Sequence, residues 1–279
     1  MVMDIVTMVE QKKNFNFLNY ILFFYNYYNL SVFIFLKLNL YIYQIGMDSF
    51  INVIITFVLL TVIYKYFENR SYDVVMHKSN IDNKDYLVRN LPDKQKAADT
   101  LASISKRLSK LVNYIEKNLD KKDEMYQKYV KDQYEIKIKG NIDKENEHFK
   151  KLVFDKKKKL KTDLQRLVNN FNPNKISETT PDAKYTSYSV NKGEKIVMCI
   201  RNKKTANQDI ININTLMFVA LHETAHLMTK SVGHHPEFWD NFRILINIAV
   251  DPNVNIYKEV NFDLYPEPYC GMTINSVPN

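Results

Sequence analysis

The chain has 279 residues, a hydrophobic fraction of 46% and a formal net charge of +8. That hydrophobic fraction excludes a globally disordered chain and is sufficient for one or two domains with a genuine core. The charge is compatible with nucleic acid, an acidic partner, anionic lipid or a solvated basic surface, and it does not specify a fold. Cys199 and Cys270 lack a C-x-x-C spacing. The sequence therefore predicts neither a disulfide framework nor a cysteine-rich zinc module, and it fits a reducing compartment.

The first 46 residues are rich in Phe, Tyr, Leu and Ile, but Asn and Lys interrupt them every few positions. Such interruptions are unfavourable in a helix that faces lipid. We interpret residues 1–46 as a hydrophobic leader that precedes a start at Met47. An additional membrane helix within residues 17–43 is the alternative.

A cleaner apolar run follows at residues 50–64, which carry no charge. We predict a transmembrane helix over residues 47–67, in contact with the membrane through residues 50–66. Lys65 and Arg70 follow the run, so the positive-inside rule predicts a single-pass membrane protein whose C-terminal domain is cytosolic. A buried soluble helix or a cleaved signal peptide is the alternative.

Residues 68–92 are polar and end in Leu-Pro, a combination typical of a linker. The segment 93–171 is strongly charged and helical in pattern, with apolar residues at alternating spacings of three and four. Those residues are Leu101, Ile104, Leu108, Leu111 and Ile115. The pattern fits a short coiled-coil stalk that self-associates through residues 101–115. It also fits an amphipathic helix packed on the following domain.

The lysine-rich run Lys156–Lys161 can contact nucleic acid or anionic lipid. No aromatic residue is interleaved with it, unlike in a groove that binds single strands. The simpler interpretation is a solvated helix face.

A polar, aperiodic stretch from Asn172 to Pro181 marks the beginning of a C-terminal domain at residues 172–279. Two strand-like runs, Tyr185–Val190 and Lys195–Arg201, are joined by Asn-Lys-Gly-Glu and predict a β-hairpin. Leu216–Met228 then forms an uninterrupted apolar run, as expected of a buried helix.

This helix carries His222-Glu223-x-x-His226. Histidines four residues apart share one helical face and can bind one metal ion. Neutral imidazoles with an open coordination position suit Zn²⁺, although other divalent ions share such ligands. Glu223 projects beside them, where it can act as a general base.

Four of the six histidines in the chain lie between positions 222 and 235. A catalytic zinc site needs three protein ligands, and Gly233 allows the chain to turn so that His234 or His235 completes the set. Ordinary buried or surface histidines are the simpler explanation for His77 and His148, which stand alone in polar segments.

The His222-Glu223-x-x-His226 motif resembles that of the SprT-like and WLM group of small zinc metallopeptidases. The segment that follows it and shares the resemblance is Gly233-His234-His235-Pro236-Glu237-Phe238. The resemblance covers residues 185–248 and implies that His234 is the third ligand and Glu223 the catalytic base. The tail Tyr265–Met272, with the hydrophobic N-terminal segment, is similar to WLM-like proteins of large DNA viruses. No glycine lies three residues after His226, so the metzincin pattern is not met.

We therefore predict an α+β fold, with a small zincin-like domain after a helical, partly coiled-coil stalk and a transmembrane helix. The predicted function is a membrane-anchored zinc metallopeptidase that hydrolyses proteins or peptides through a metal-activated water, with Glu223 as general base. A catalytically silent, metal-binding membrane scaffold is the alternative, and a nucleic-acid-associated protease is a third.

Further residues are candidates for supporting roles around this site. Lys195–Arg201 is the expected edge strand for substrate. Phe238 and Phe242 should wall the metal site from behind. Tyr257, Tyr265 and Tyr269 are candidates for an oxyanion donor, and core or surface packing is the simpler interpretation for each.

Overall fold

The structure is a computed structural model that describes residues 49–70, 74–138, 147–180, 183–202 and 208–278. The chain divides into two units, Met1–Ser71 and Tyr72–Asn279. The predicted leader at residues 1–46, and the alternative helix within it, lie outside the described residues.

Helix α1 (Ser49–Arg70) is the described part of the first unit. Its uncharged portion, residues 49–64, is about 24 Å long at 1.5 Å per residue, whereas a bilayer core is about 30 Å thick. Among the helices in the described part of the chain, none combines the length and apolar character that crossing a bilayer demands. The predicted transmembrane helix over residues 47–67, and the single-pass location based on it, are therefore not supported.

The second unit begins with a hairpin in the segment that we expected to be a linker. Strands β1 (Val74–Lys78) and β2 (Asp85–Arg89) pair antiparallel. Tyr86 and Val88 are buried in alternation with more exposed neighbours, the pattern of a strand with one face on a core. This alternation is short and is flanked by polar residues, so the sequence did not predict a strand here.

Four helices follow: α2 (Lys94–Asn118), α3 (Lys122–Tyr129), α4 (Lys131–Ile138) and α5 (Glu147–Asn170). The five apolar residues of the α2 seam are fully buried in the core of the second unit. Helix α2 contacts β2 and α5. Its apolar stripe therefore packs within the chain, as that of an amphipathic helix does.

A three-stranded sheet contains β3 (Ile176–Glu178), β4 (Tyr188–Val190) and β5 (Lys195–Met198). The predicted hairpin is confirmed, because β4 and β5 pair antiparallel. The prediction that residues 195–201 form an edge strand is wrong, because β5 lies between β4 and β3, which pairs with it in parallel. Strand β3 has only three residues, too few to show a period in the sequence.

The site is built on two helices, α6 (Ile213–Met228) and α7 (Pro236–Val250). The side chain of Asn212 accepts a hydrogen bond from the Asn214 amide at 2.8 Å and caps α6. Proline begins α7, where its missing N–H leaves no hydrogen bond unmade. A second hairpin, β6 (Glu267–Tyr269) and β7 (Met272–Ile274), follows near the C-terminal end.

Cys199 and Cys270 form a disulfide, with their Cα atoms 6.3 Å apart and 71 positions between them in sequence. The prediction of no disulfide was wrong. Their wide separation leaves no local pattern that reveals the pairing. The bond joins the end of β5 to the turn between β6 and β7.

Candidate metal centre

Helix α6 places His222 and His226 one turn apart, and their ring centroids are 5.1 Å from each other. The loop between α6 and α7 brings His234 against both, with centroid distances of 4.9 Å to His222 and 5.0 Å to His226. Gly233 has a φ of +89° just before His234, so the chain turns where the sequence indicates. Three imidazoles thus meet in a nearly equilateral triangle.

One ligand nitrogen from each of these three histidines lies within 4.8 Å of the others. The Nε2 atoms of His222 and His234 are 3.0 Å apart. Two ligands of a tetrahedral zinc ion lie roughly 3.4 Å apart, given Zn–N bonds of about 2.1 Å. The three nitrogens therefore fit one metal ion, and His222, His226 and His234 are the residues that can hold it.

Burial keeps this group in the protonation state that binds a metal. Desolvation, with the neighbouring histidines, lowers the pKa of His222 to about 3. Desolvation, with His234 and Lys192, lowers the pKa of His226 to about 4, and burial also lowers that of His234. Although His234 is exposed, the pKa of each imidazole lies below its ordinary value of 6.5, which favours the neutral form that a metal ligand needs at pH 7.

Aromatic rings from α7 support the histidines, as expected. The Phe238 ring lies 4.8 Å from His222, 4.4 Å from His226 and 4.7 Å from His234. Phe242 lies 5.3 Å from His222 and is buried. Trp239 lies 5.6 Å from His234. Because these rings fill the space behind the imidazoles, the ligand side chains have little freedom to turn away.

Polar contacts hold the loop that carries His234. Lys192, in the turn between β4 and β5, donates from Nζ to the carbonyl oxygens of Thr229 at 2.9 Å and Ser231 at 2.5 Å. The Ser231 hydroxyl donates to Glu237 Oε2 at 2.9 Å. Asn241 Nδ2 donates to Thr229 Oγ1 at 3.0 Å. The position of the third histidine thus depends on the hairpin as well as on α7.

Glu223 follows His222 directly on α6 and is only 4% exposed. The backbone amide of Ser189, in β4, donates a hydrogen bond to its carboxylate. Burial outweighs that hydrogen bond and raises the pKa of Glu223 to about 8. A general base is most effective with a pKa near the working pH, so this carboxylate suits proton transfer.

The structure separates the three tyrosines proposed as oxyanion donors. Tyr269 is buried, and its hydroxyl lies 2.6 Å from Ser187 Oγ. Burial raises the pKa of Tyr269, and the charge of Glu223 raises it further. Tyr269 therefore lies close enough to Glu223 to sense its charge. Tyr257 is buried with its ring 6.2 Å from Phe218, and Tyr265 is 68% exposed.

Histidines outside the triangle have other surroundings. His235 is the exposed residue that precedes α7, and it is not one of the three grouped histidines. His77 lies on strand β1, and its Nε2 atom is 3.1 Å from Gln95 Oε1. His148 lies on the exposed face of α5.

The lysine-rich run on α5 makes ion pairs with several carboxylates. Lys156 contacts Asp240 of α7 at 2.8 Å, and Lys159 contacts Glu237 at 2.5 Å. Two more lysines of the run pair with carboxylates near α3, namely Lys157 with Asp123 and Lys161 with Asp120. These pairs link α5 to its neighbours.

Three contributors escaped sequence reasoning. Lys192 lay within a predicted turn, where lysine carries no signal of its own. Ser187 and Ser189 lay in a predicted strand, and only the fold shows that they meet Tyr269 and Glu223. The alternation within Tyr185–Val190 shows which residues share a face, but it does not identify what that face contacts.

Fold and site together define an α+β chain with a three-histidine group that can hold a metal ion. The chain is 33% identical over 225 residues to uncharacterized protein R325 of Acanthamoeba polyphaga mimivirus, covering 81% of this chain and 94% of that protein. It is 32% identical over 84 residues to uncharacterized protein 136R of Invertebrate iridescent virus 6, covering 30% of this chain and 44% of that protein. The chain belongs to the family of the mimivirus protein. Its similarity to proteins of large DNA viruses is thereby confirmed.

No family model matches the chain. No solved structure matches it either.

Proposed function

We propose that this chain is a zinc-dependent metallopeptidase of the SprT-like and WLM type, which hydrolyses peptide bonds in proteins or peptides. The observation that carries the proposal is the convergence of His222, His226 and His234, together with the burial of Glu223, the residue next to His222 on α6. A zinc ion held by three imidazoles supplies a Lewis acid and lowers the pKa of the attacking water.

Glu223 is the proposed general base. Its carboxylate takes a proton from the attacking water and then delivers it to the leaving amine nitrogen. The Ser189 amide holds the carboxylate in place, and burial keeps its pKa well above that of an exposed glutamate. A site that served stability alone would not need such a carboxylate, which favours the peptidase over a silent scaffold.

Strand β4 is the edge strand nearest to this carboxylate, and it contacts α6. An extended peptide can add to such an edge through main-chain hydrogen bonds. We propose that substrate lies along β4, in place of the predicted strand at residues 195–201.

The test uses the full chain, since α2 and α5 pack in the same core as α6. Metal content and peptide cleavage are measured for wild type, His226→Ala and Glu223→Gln. We expect about one zinc per chain in wild type, a large loss of zinc in His226→Ala, and normal zinc with cleavage reduced at least 100-fold in Glu223→Gln.

Each outcome has a defined meaning. A folded wild-type chain without zinc would show that the three histidines are not a metal site. Zinc without cleavage of a broad peptide library would favour the silent scaffold. Full activity in Glu223→Gln would remove Glu223 from its role.

A further inference from the structure

A cavity of about 610 Å³ opens directly beside the histidine group. His222 lines it together with Phe218, Trp239 and Phe242. The Phe242 ring is 5.3 Å from His222 and 5.2 Å from Phe218, while the Trp239 ring is 6.3 Å from His222. The accessible ring on this side is Trp239, which is 38% exposed, whereas Phe218 and Phe242 are 7% and 1% exposed and support it from the core.

The opposite side is formed by the segment 273–278, with Ile274 and Val277 as its apolar members. Both side chains pack partly against the hydrophobic core. The hairpin of β6 and β7 precedes this segment, and the Cys199–Cys270 disulfide fixes the hairpin turn to the sheet. The wall is thus held from a second point of the fold, so the cavity has a defined shape.

Charge is confined to one end of the cavity, where Lys137 and Asp240 lie. They form an ion pair at 3.4 Å, and Lys156 also contacts Asp240 at 2.8 Å. Asp240 is shared by two lysines, so this end of the cavity carries a net positive charge, but the Lys137 side chain is 57% exposed and solvent screens its charge. The rest of the lining is predominantly apolar, with Thr273, Asn275 and Ser276 as its polar members, and it favours an apolar occupant.

We infer that this cavity receives a large apolar side chain, aromatic or branched aliphatic, from the substrate residue next to the scissile bond. This inference rests on the proposed function, because the histidine group defines where the scissile bond lies. It adds a substrate class, namely peptides with such a residue at the cleavage point. Contact with the exposed Trp239 ring and with Ile274 and Val277 provides the selectivity, since transfer of an apolar side chain from water is favourable.

The test is a ligand series on the full chain loaded with Co²⁺, whose visible absorption reports binding. The probes are acetohydroxamate, 3-phenylpropanohydroxamate and the monohydroxamate of succinic acid, which share one metal-binding group and differ in side chain. We expect the phenyl compound to bind at least about tenfold more tightly than acetohydroxamate. The succinic compound should gain nothing. Equal affinity for the phenyl and methyl compounds would overturn the inference.

A filled cavity provides a second readout. In Val277→Trp, the preference for the phenyl compound should disappear, while acetohydroxamate affinity stays within about threefold of wild type. Leu264→Trp is the matched control, since Leu264 is 69% exposed and does not line the cavity. A phenyl preference that persists in a folded Val277→Trp chain would contradict the assignment. The wild-type series decides the question even where that variant does not fold.

Failure of the proposed function would be visible separately. If the chain takes up no Co²⁺ or Zn²⁺ before any hydroxamate is added, the metal site itself is absent and both proposals fall. If the metal binds and the phenyl compound gains no affinity, only the substrate class is overturned.

Discussion

At the scale of single residues, Gly193 shows how tightly the hairpin is built against the site. It lies in the turn between β4 and β5 with a φ of +126°, which residues with a side chain rarely adopt. A Cβ atom there would overlap the backbone carbonyl oxygen of Asn170, at the end of α5. The neighbouring Lys192 anchors the loop of the third histidine. The absence of a side chain at position 193 therefore allows the lysine to reach that loop.

Gly193→Ala should destabilise the chain by about 2–4 kcal/mol, because backbone strain and a clash with Asn170 act together. Urea unfolding of the metal-free protein measures the change. Glu194→Gln is the control in the same turn, since Glu194 is exposed and glutamine keeps an oxygen that can accept from Asn191 Nδ2, and it should stay within roughly 0.5 kcal/mol of wild type. An unchanged Gly193→Ala chain would show that the turn relaxes away from α5.

At the scale of elements, α5 acts as a brace for the loop between α6 and α7. Arg166 Nη1 donates to the carbonyl oxygen of Met228, the last residue of α6, at 2.5 Å, and pairs with Asp163 at 2.7 Å. Lys159 bridges Asp163 and Glu237, at 2.7 Å and 2.5 Å. The basic face that suggested an external anion in the sequence thus serves internal ion pairs at these positions.

Glu237 gives this brace a dependence on pH. Burial alone would raise its pKa, but hydrogen bonds from Lys159 and Ser231 prevail and lower the pKa to about 2. Its ionised form is therefore favoured by folding, and the stabilisation is present above the ordinary value of 4.5 and lost as pH falls towards 2. The difference converts to roughly 3 kcal/mol, an upper limit because solvent screens the pair.

We expect Glu237→Gln to lose stability at pH 6 and to show a flatter decline between about pH 4.5 and 2 than wild type. Chemical unfolding of metal-free protein at a series of pH values measures this. Glu147→Gln is the matched control, because Glu147 pairs with Lys150 while its side chain is 89% exposed. Parallel pH profiles for Glu237→Gln and wild type would contradict the assigned role of the ion pair.

At the scale of the whole molecule, the disulfide connects the sheet to the C-terminal hairpin. The same region carries Tyr269, whose hydroxyl meets Ser187, while Ser187 Oγ accepts from the Cys199 amide at 2.8 Å. The disulfide and the Tyr269–Ser187 hydrogen bond therefore hold the hairpin against the sheet, while the Cys199–Ser187 hydrogen bond joins the end of β5 to the residue before β4. Loss of the disulfide should therefore change the stability of the chain more than it changes the cavity.

Closing a loop between residues 71 positions apart corresponds to about 4 kcal/mol in the chain-entropy description of disulfides. A Cys199→Ser, Cys270→Ser double variant should therefore melt several degrees below the oxidised wild type. Reducing agent should lower the Tm of wild type and leave that of the double variant unchanged. Two free thiols in the unreduced, unfolded wild-type chain would show that the disulfide does not form.

Local patterns were sufficient to predict the central part of the site. The spacing of His222 and His226 specifies a shared helical face because i and i+4 neighbours depend only on the helix itself. The turn at Gly193 is equally local, and the predicted hairpin forms. The sequence alone also placed a third ligand after Gly233, although it left His234 and His235 as alternatives.

Only the tertiary structure decided between those histidines, because the choice depends on how the loop is held by Lys192 and α7. The middle position of β5 depends on the short strand β3, and the disulfide joins residues 71 positions apart. The nearness of Tyr269 to Glu223 and the wall of the cavity likewise arise from segments distant in sequence. Periodicity reports which face of an element is apolar, whereas these features depend on which elements meet across the core.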